Sequence, residues 1–208
     1  MESHKLKVLW VSHLVPFPPK AGVLSRCFNL LKQVSERHDV HLATFIQESW
    51  FRTFYPTLQA GLADAAEHLR RFCSVRAMAP IPTDGMGRPA KAWLAVRSAL
   101  SGRCYTVDWL RSSAMQNELR ALALENWDVV HFDTIGLAQY RHLFGNVAAT
   151  LGHHNIESHM MRRRSAQESN PLLRAYFELE ARRLEAYERA TAAQFDCHIT
   201  CSTLDSER

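Results

Sequence analysis

Three short clusters in this sequence carry groups able to move protons or bind anions. The densest is Gly152-His153-His154-Asn155-Ile156-Glu157. An imidazole there can donate to a phosphate or sugar oxygen, or carry a proton near neutral pH. Read plainly, the same run is a solvated turn with Glu157 or Ser158 opening a helix, but so many titratable groups exceed what a turn needs. The second cluster is His131-Phe132-Asp133. Its two polar side chains, spaced two apart, point to one side of a strand end. They read equally well as a ligand pair or as a backbone-bonded histidine beside a helix-capping aspartate. The third is Gly22, which closes the loop that starts at His13. A glycine there lets a backbone approach a ligand while the following helix offers free N–H groups to an anion. An ordinary loop-to-helix turn needs no more than that, and Gly22 taken alone favours the plain turn.

These clusters need elements to hold them. Leu6 to Ser12 is a near-continuous apolar run, the pattern of a parallel strand covered on both faces. Pro16, Pro18 and Pro19 keep the next segment out of a sheet. Leu24, Phe28, Leu31 and Val34 then recur at helical spacing, and Val40 to Phe45 reads as a second strand. That is a βαβ unit, with a right-handed crossover expected. Further on, helices are expected over 57–72, 90–100 and 107–125, with a short strand over 75–79. Strands follow at 127–132, 147–151 and 195–201, with a helix over 135–144. A long helical region after Glu157 is broken at Asn170-Pro171, a cap followed by a first-turn proline. It continues to about Ala193 with Leu173, Phe177, Leu184 and Tyr187 along one face, and Ser202 to Asp205 reads as the cap of a new helix. Alternating strands and helices imply an α/β sandwich on a mostly parallel sheet. Each cluster then falls beyond a strand's carboxyl end, where open parallel sheets bind ligands.

Composition narrows the classes. A chain of 208 residues with 47% hydrophobic residues can bury a real core. No run approaches a membrane span, and no secretory signal is visible, so a cytoplasmic location is expected. A net charge of +4 permits anionic partners but, without a basic stripe or binding motif, does not argue for nucleic acid. The dinucleotide and phosphate-loop glycine motifs are missing. Five scattered cysteines (Cys27, Cys73, Cys104, Cys197 and Cys201) do not form a disulfide framework and read as small buried groups, with Cys197 and Cys201 on one strand face. Adjacent histidines rarely reach one ion and no third ligand is evident, so no metal is expected. Arg162-Arg163-Arg164 open a helix in which acidic residues are interleaved, the pattern of a solvated face; the same three arginines also suit peripheral contact with anionic lipid at the inner membrane face.

Four ordered blocks resemble bacterial group 1 (subfamily 4-like) GT-B glycosyltransferases. They are Lys7 to Gly22 with Arg26, Asn29-Leu30-Leu31 and Arg37 to Leu42; Trp127 to Asp133; His154-Asn155-Ile156-Glu157-Ser158; and Asn170-Pro171 with Glu180 to Leu184, Tyr187-Glu188 and Phe195-Asp196. The resemblance implies a Rossmann-like, doubly wound domain, one half of a GT-B fold, over 1–201, with 202–208 starting a linker. It implies retaining transfer of a hexose from a nucleotide-sugar to a saccharide or lipid acceptor held by this half. A second, absent domain would grip the nucleotide, so the chain alone is expected to be inactive. By motif, Gly22 would approach the donor diphosphate and His154 would contact the transferred sugar or its phosphate, with His131, Asp133, His153, Asn155 and Glu157 around them. His153 stands where the family often has an acidic residue. No metal or other cofactor is implied. The alternative is a non-catalytic module derived from that half, retaining only glycan or lipid binding.

Overall fold

The computed structural model describes residues 5–206. Strands β1 (Lys7–Ser12), β2 (Asp39–Ile46), β3 (Ser74–Pro80), β4 (Val129–Phe132), β5 (Ala148–Gly152) and β6 (Cys197–Ile199) form one sheet in the order β3-β2-β1-β4-β5-β6. Every neighbouring pair is parallel. This is the Rossmann-like doubly wound order, and strand order reverses between β1 and β4.

β1 shows why the sequence makes such a sheet. Its alternate residues feed two cores: Leu9 and Val11 join Phe45, Val130 and Phe132 on one face, while Val8 and Trp10 join Leu31, Val40 and Leu42 on the other. The helix α1 (Gly22–Ser35) covers the second face by burying Leu24, Cys27 and Leu31. On the same side lie α2 (Glu48–Phe51), a single turn that the sequence pattern did not reveal, and α3 (Leu58–Leu69), capped by Thr57 through the Ala60 N–H. After β3 comes α4 (Arg88–Leu100).

The single helix expected over 107–125 is instead two, α5 (Tyr105–Asp108) and α6 (Ser113–Leu122). Two side chains make the break stable. Ser112 Oγ accepts from Met115 N–H and caps α6, and the Tyr140 hydroxyl accepts from Ser112 N–H while donating to the Leu110 carbonyl at 2.6 Å. The segment Ile135–Phe144 is helical as expected but winds as a 3₁₀ helix. Helices α7 (Glu157–Gln167) and α8 (Pro171–Ala192) meet at the expected break, where Asn170 Oδ1 accepts from Leu172 and Leu173 N–H. On α8 Leu184 is buried, but Leu173 is exposed and leaves the predicted apolar face.

β6 is shorter than expected, so Cys201 lies beyond it and shares no strand face with Cys197. Both thiols are exposed, unlike buried Cys27, Cys73 and Cys104. Ser202 Oγ accepts from Asp205 N–H and opens α9 (Thr203–Ser206); the rest of the anticipated linker, 207–208, lies outside the described residues. Among the described residues no helix is long and apolar enough to cross a membrane.

Candidate functional site

The reversal between β1 and β4 opens a crevice at their carboxyl ends, and the titratable side chains gather there. Asp133, the first residue after β4, is held by its N–H to the Val11 carbonyl and is almost wholly buried. His13, the first residue after β1, places Nδ1 3.3 Å from Asp133 Oδ2. His154, from the turn after β5, places Nε2 3.3 Å from the same oxygen. That second approach has an ionic distance but is off the line a hydrogen bond needs, so His154 Nε2 remains a buried atom without a hydrogen-bond partner. His131 Nε2 stands 4.0 Å from Asp133 Oδ1. Burial alone pushes the Asp133 carboxyl up. The His13, His131 and His154 imidazoles outweigh it and hold the carboxyl well below the usual carboxylate range.

The partners fix the tautomers. A carboxylate only accepts, so His13 Nδ1 donates to Asp133 and the lone pair sits on Nε2 when the ring is neutral. No hydrogen bond reaches that Nε2 among the described residues, and His13 lines an adjoining cavity. Arg26 of α1 only donates. Its Nη1 lies 3.1 Å from His154 Nδ1 and 3.2 Å from the His153 carbonyl, so neutral His154 carries its proton on Nε2, facing Asp133. His131 is held away from the cavity: its ring lies against Trp10, with centroids 3.9 Å apart, and Nδ1 is 2.8 Å from Thr150 Oγ1. A Cβ on Gly152 would come 3.2 Å from the Asp133 carbonyl and 3.3 Å from the His131 ring, so this glycine allows β5 to close against the cluster.

His13, Asp133 and His154 also bring three ligand atoms within 4.8 Å of one another, close enough to share a metal ion. The third ligand that the sequence did not disclose is therefore His13. Coordination through His154 Nε2 would require that nitrogen to shed its proton, which the Arg26 guanidinium at Nδ1 opposes.

The other predicted residues spread around this centre. Gly22 is the exposed first residue of α1, and nothing lies within 4 Å of where its Cβ would be. Ala21 supplies no side-chain cap and the first turn has no acidic residue, so the amide groups there stay open. Asn155 and Glu157 line the cavity. Burial and neighbouring Glu188 push the Glu157 carboxyl up to about 7, against a smaller opposing pull from His154. His153 faces elsewhere. Its Nε2 lies 3.0 Å from His198 Nδ1, and burial, His198 and Arg26 hold its pKa down to about 4. Of the three arginines, Arg162 pairs with Glu185, Arg163 is exposed, and Arg164 lies 4.8 Å over the Phe177 ring at the cavity wall.

Two members of the centre were not singled out as site residues. His13 had the same signal as Asp133, a polar residue directly after a buried strand, but it read as the start of a proline loop. Arg26 belonged to the first block of the resemblance, but nothing local marked it as part of a site. Only the packing of α1 beside the β5 turn brings its guanidinium to His154.

No protein-family model matches the chain, and no curated protein matches it in sequence. Among solved structures, the glycotransferase of kitacinnamycin aligns with 92% of this chain and 42% of its own, at 15% identity and a TM-score of 0.42. The chain thus spans less than half the length of that protein.

Proposed function

We propose that this chain is the acceptor-side half of a glycosyltransferase and that His13, oriented by Asp133, removes the proton from the acceptor hydroxyl. The observation that carries this reading is the His13–Asp133 pair at the strand-order reversal. A buried carboxylate holds one imidazole nitrogen and leaves the other, with its lone pair, free on a ring that lines the cavity. That arrangement suits a general base: the carboxylate fixes the tautomer and stabilises the imidazolium that forms. The four sequence blocks support the choice of reaction.

In the step proposed, the acceptor O–H gives its proton to His13 Nε2 and its oxygen bonds to the anomeric carbon of the donor. The bond from that carbon to the diphosphate breaks, and the nucleoside diphosphate leaves with the electron pair. The open N-terminus of α1 at Gly22 offers N–H groups to that diphosphate. The His13, His131 and His154 imidazoles hold the Asp133 carboxylate ionised. The nucleotide itself is held by a second domain. No metal takes part in this step.

Base-assisted displacement in one step inverts the anomeric centre, so this geometry favours inversion over the retention implied by the sequence resemblance. The test uses the product of the complete reading frame and a panel of nucleotide-sugars. Transfer is expected, with the product anomer opposite to that of the donor by proton NMR. Asp133→Asn should lower kcat by about 10²-fold or more, because an amide no longer fixes the His13 tautomer. A retained anomer, or an Asp133→Asn enzyme as fast as wild type, would refute the base assignment.

A further inference from the structure

The cavity beside His13 has a volume of about 620 Å³, within the usual range for sites that take a small organic ligand. Its walls come from α1, α4, α5, α7 and α8, and its floor from the strand ends. Val23, Trp109, Met160, Met161 and Phe177 contribute to its apolar surface, which exceeds the polar one. None of them has a group that answers a sugar hydroxyl, except the lone indole N–H of Trp109. Lys91, Tyr105, Thr134, Asn155, Glu157 and Tyr176 also reach the lining, but carbon makes up most of the exposed wall. Glu180 accepts from Thr106 N–H at 2.9 Å, and Arg164 lies over Phe177. A saccharide here would meet those polar groups with some of its hydroxyls and bury the rest against carbon, at about 1–3 kcal/mol for each one left unpaired. An apolar body would instead gain contact with aromatic faces and with methionines that adapt to its outline. The titration of Glu157 agrees: a carboxyl held up to about 7 marks a poorly hydrated wall.

We infer that the acceptor is a compact apolar alcohol rather than a saccharide, with its carbon body in this cavity and its hydroxyl at His13 Nε2. This rests on the glycosyl-transfer reading for the role of the hydroxyl. The shared chemistry is a hydroxyl on an apolar body, and two sources supply it: a flat phenol or a prenyl alcohol.

Titration calorimetry of the 208-residue chain with three probes tests the inference without any transfer. The probes are 2-naphthol, farnesol and maltotriose. At least one of the first two is expected to bind, with no heat from maltotriose. Binding of 2-naphthol alone assigns a phenolic acceptor; binding of farnesol alone assigns a prenyl one. Ala95 sits half-buried on α4 at the cavity wall, and Val23 on α1 at the opposite element. Ala95→Phe and Val23→Phe should each weaken the bound probe about tenfold or more by filling the space. Circular dichroism confirms that each variant folds, and two variants on different helices guard against the failure of one. Binding of maltotriose in place of the apolar probes overturns the inference, as does apolar binding that ignores both fillers. The two readings fail separately. Transfer to a sugar acceptor without apolar binding sinks this inference alone. Apolar binding by the chain, with no transfer from any nucleotide-sugar by the complete product, sinks the glycosyl-transfer reading alone.

Discussion

His153 and His154 are neighbours in sequence, yet they serve two different regions. His154 turns into the crevice between β1 and β4, where Arg26 holds one ring nitrogen and Asp133 faces the other. His153 turns toward β6, where its ring stacks on His198 with centroids 5.3 Å apart and hydrogen-bonds to it. One region gathers imidazoles around a buried carboxylate and holds that carboxylate ionised. The other pairs an imidazole with another imidazole and a guanidinium, and keeps the proton off. The chain leaves β5 at Gly152, and the turn that follows sends the two rings to different partners. A run of polar residues can thus locate a site without saying which of its members belong to it.

The largest way to break this contrast is to remove the carboxylate. Asp133→Ala should cost about 3 kcal/mol at pH 7 by urea unfolding, because three imidazoles lose the charge they pack around. Asp133 has its pKa depressed on folding, so its contribution is present above the unfolded value near 3.8 and lost as pH falls below it. The deficit of the variant should therefore shrink below pH 4. A deficit that stays constant down to pH 2 would show that the carboxylate is not the source.

Next in size is Gly152→Ala. Its Cβ would press the Asp133 carbonyl and the His131 ring, and overpacking of that kind costs about 1–3 kcal/mol. Unchanged thermal stability would mean that β5 does not close against the cluster as described.

The two sides of the turn should also titrate with opposite sign. His153 falls from 6.5 to about 4 on folding, so the unfolded chain binds the extra proton between these values. Stability from this group is full above pH 6.5 and is lost as pH falls through 4. Glu157 rises from 4.5 to about 7, so the folded chain binds the extra proton. Its stability contribution is full below pH 4.5 and is lost as pH rises through 7. Relative to wild type, His153→Gln should gain stability as pH drops from 6.5 to 4, and Glu157→Gln as pH climbs from 4.5 to 7. Urea midpoints across this range decide it, and parallel curves for the two variants would contradict the contrast. The smallest effect is expected at Gly22→Ala: nothing opposes its Cβ, so unfolding should be unchanged or slightly harder. Any loss of nucleotide-sugar binding then reports backbone approach at that position.

Much of the fold was legible because β1, β2 and β4 are buried on both faces and so spell continuous apolar runs. Capping made Asn170-Pro171 and Ser202 equally readable, since these residues satisfy backbone groups within three positions. The break between α5 and α6 was not legible, because the hydroxyl that satisfies it belongs to Tyr140, 28 residues beyond Ser112. The site divides the same way. Asp133 and His154 stand out locally as polar groups after apolar strands. His13 was masked by the prolines that follow it, and Arg26 joins only through the placement of α1. The role of His153 was misdirected by its neighbour, since both histidines share one motif and only their rings separate.

The most direct test compares His13→Ala with His153→Ala in the complete reading-frame product, by single-turnover sugar transfer. The account predicts that His13→Ala loses about 10²- to 10⁴-fold in rate, the range expected for a general base, while His153→Ala keeps the wild-type rate below its unfolding temperature. Equal rates for the two variants, or the larger loss at His153, would contradict it.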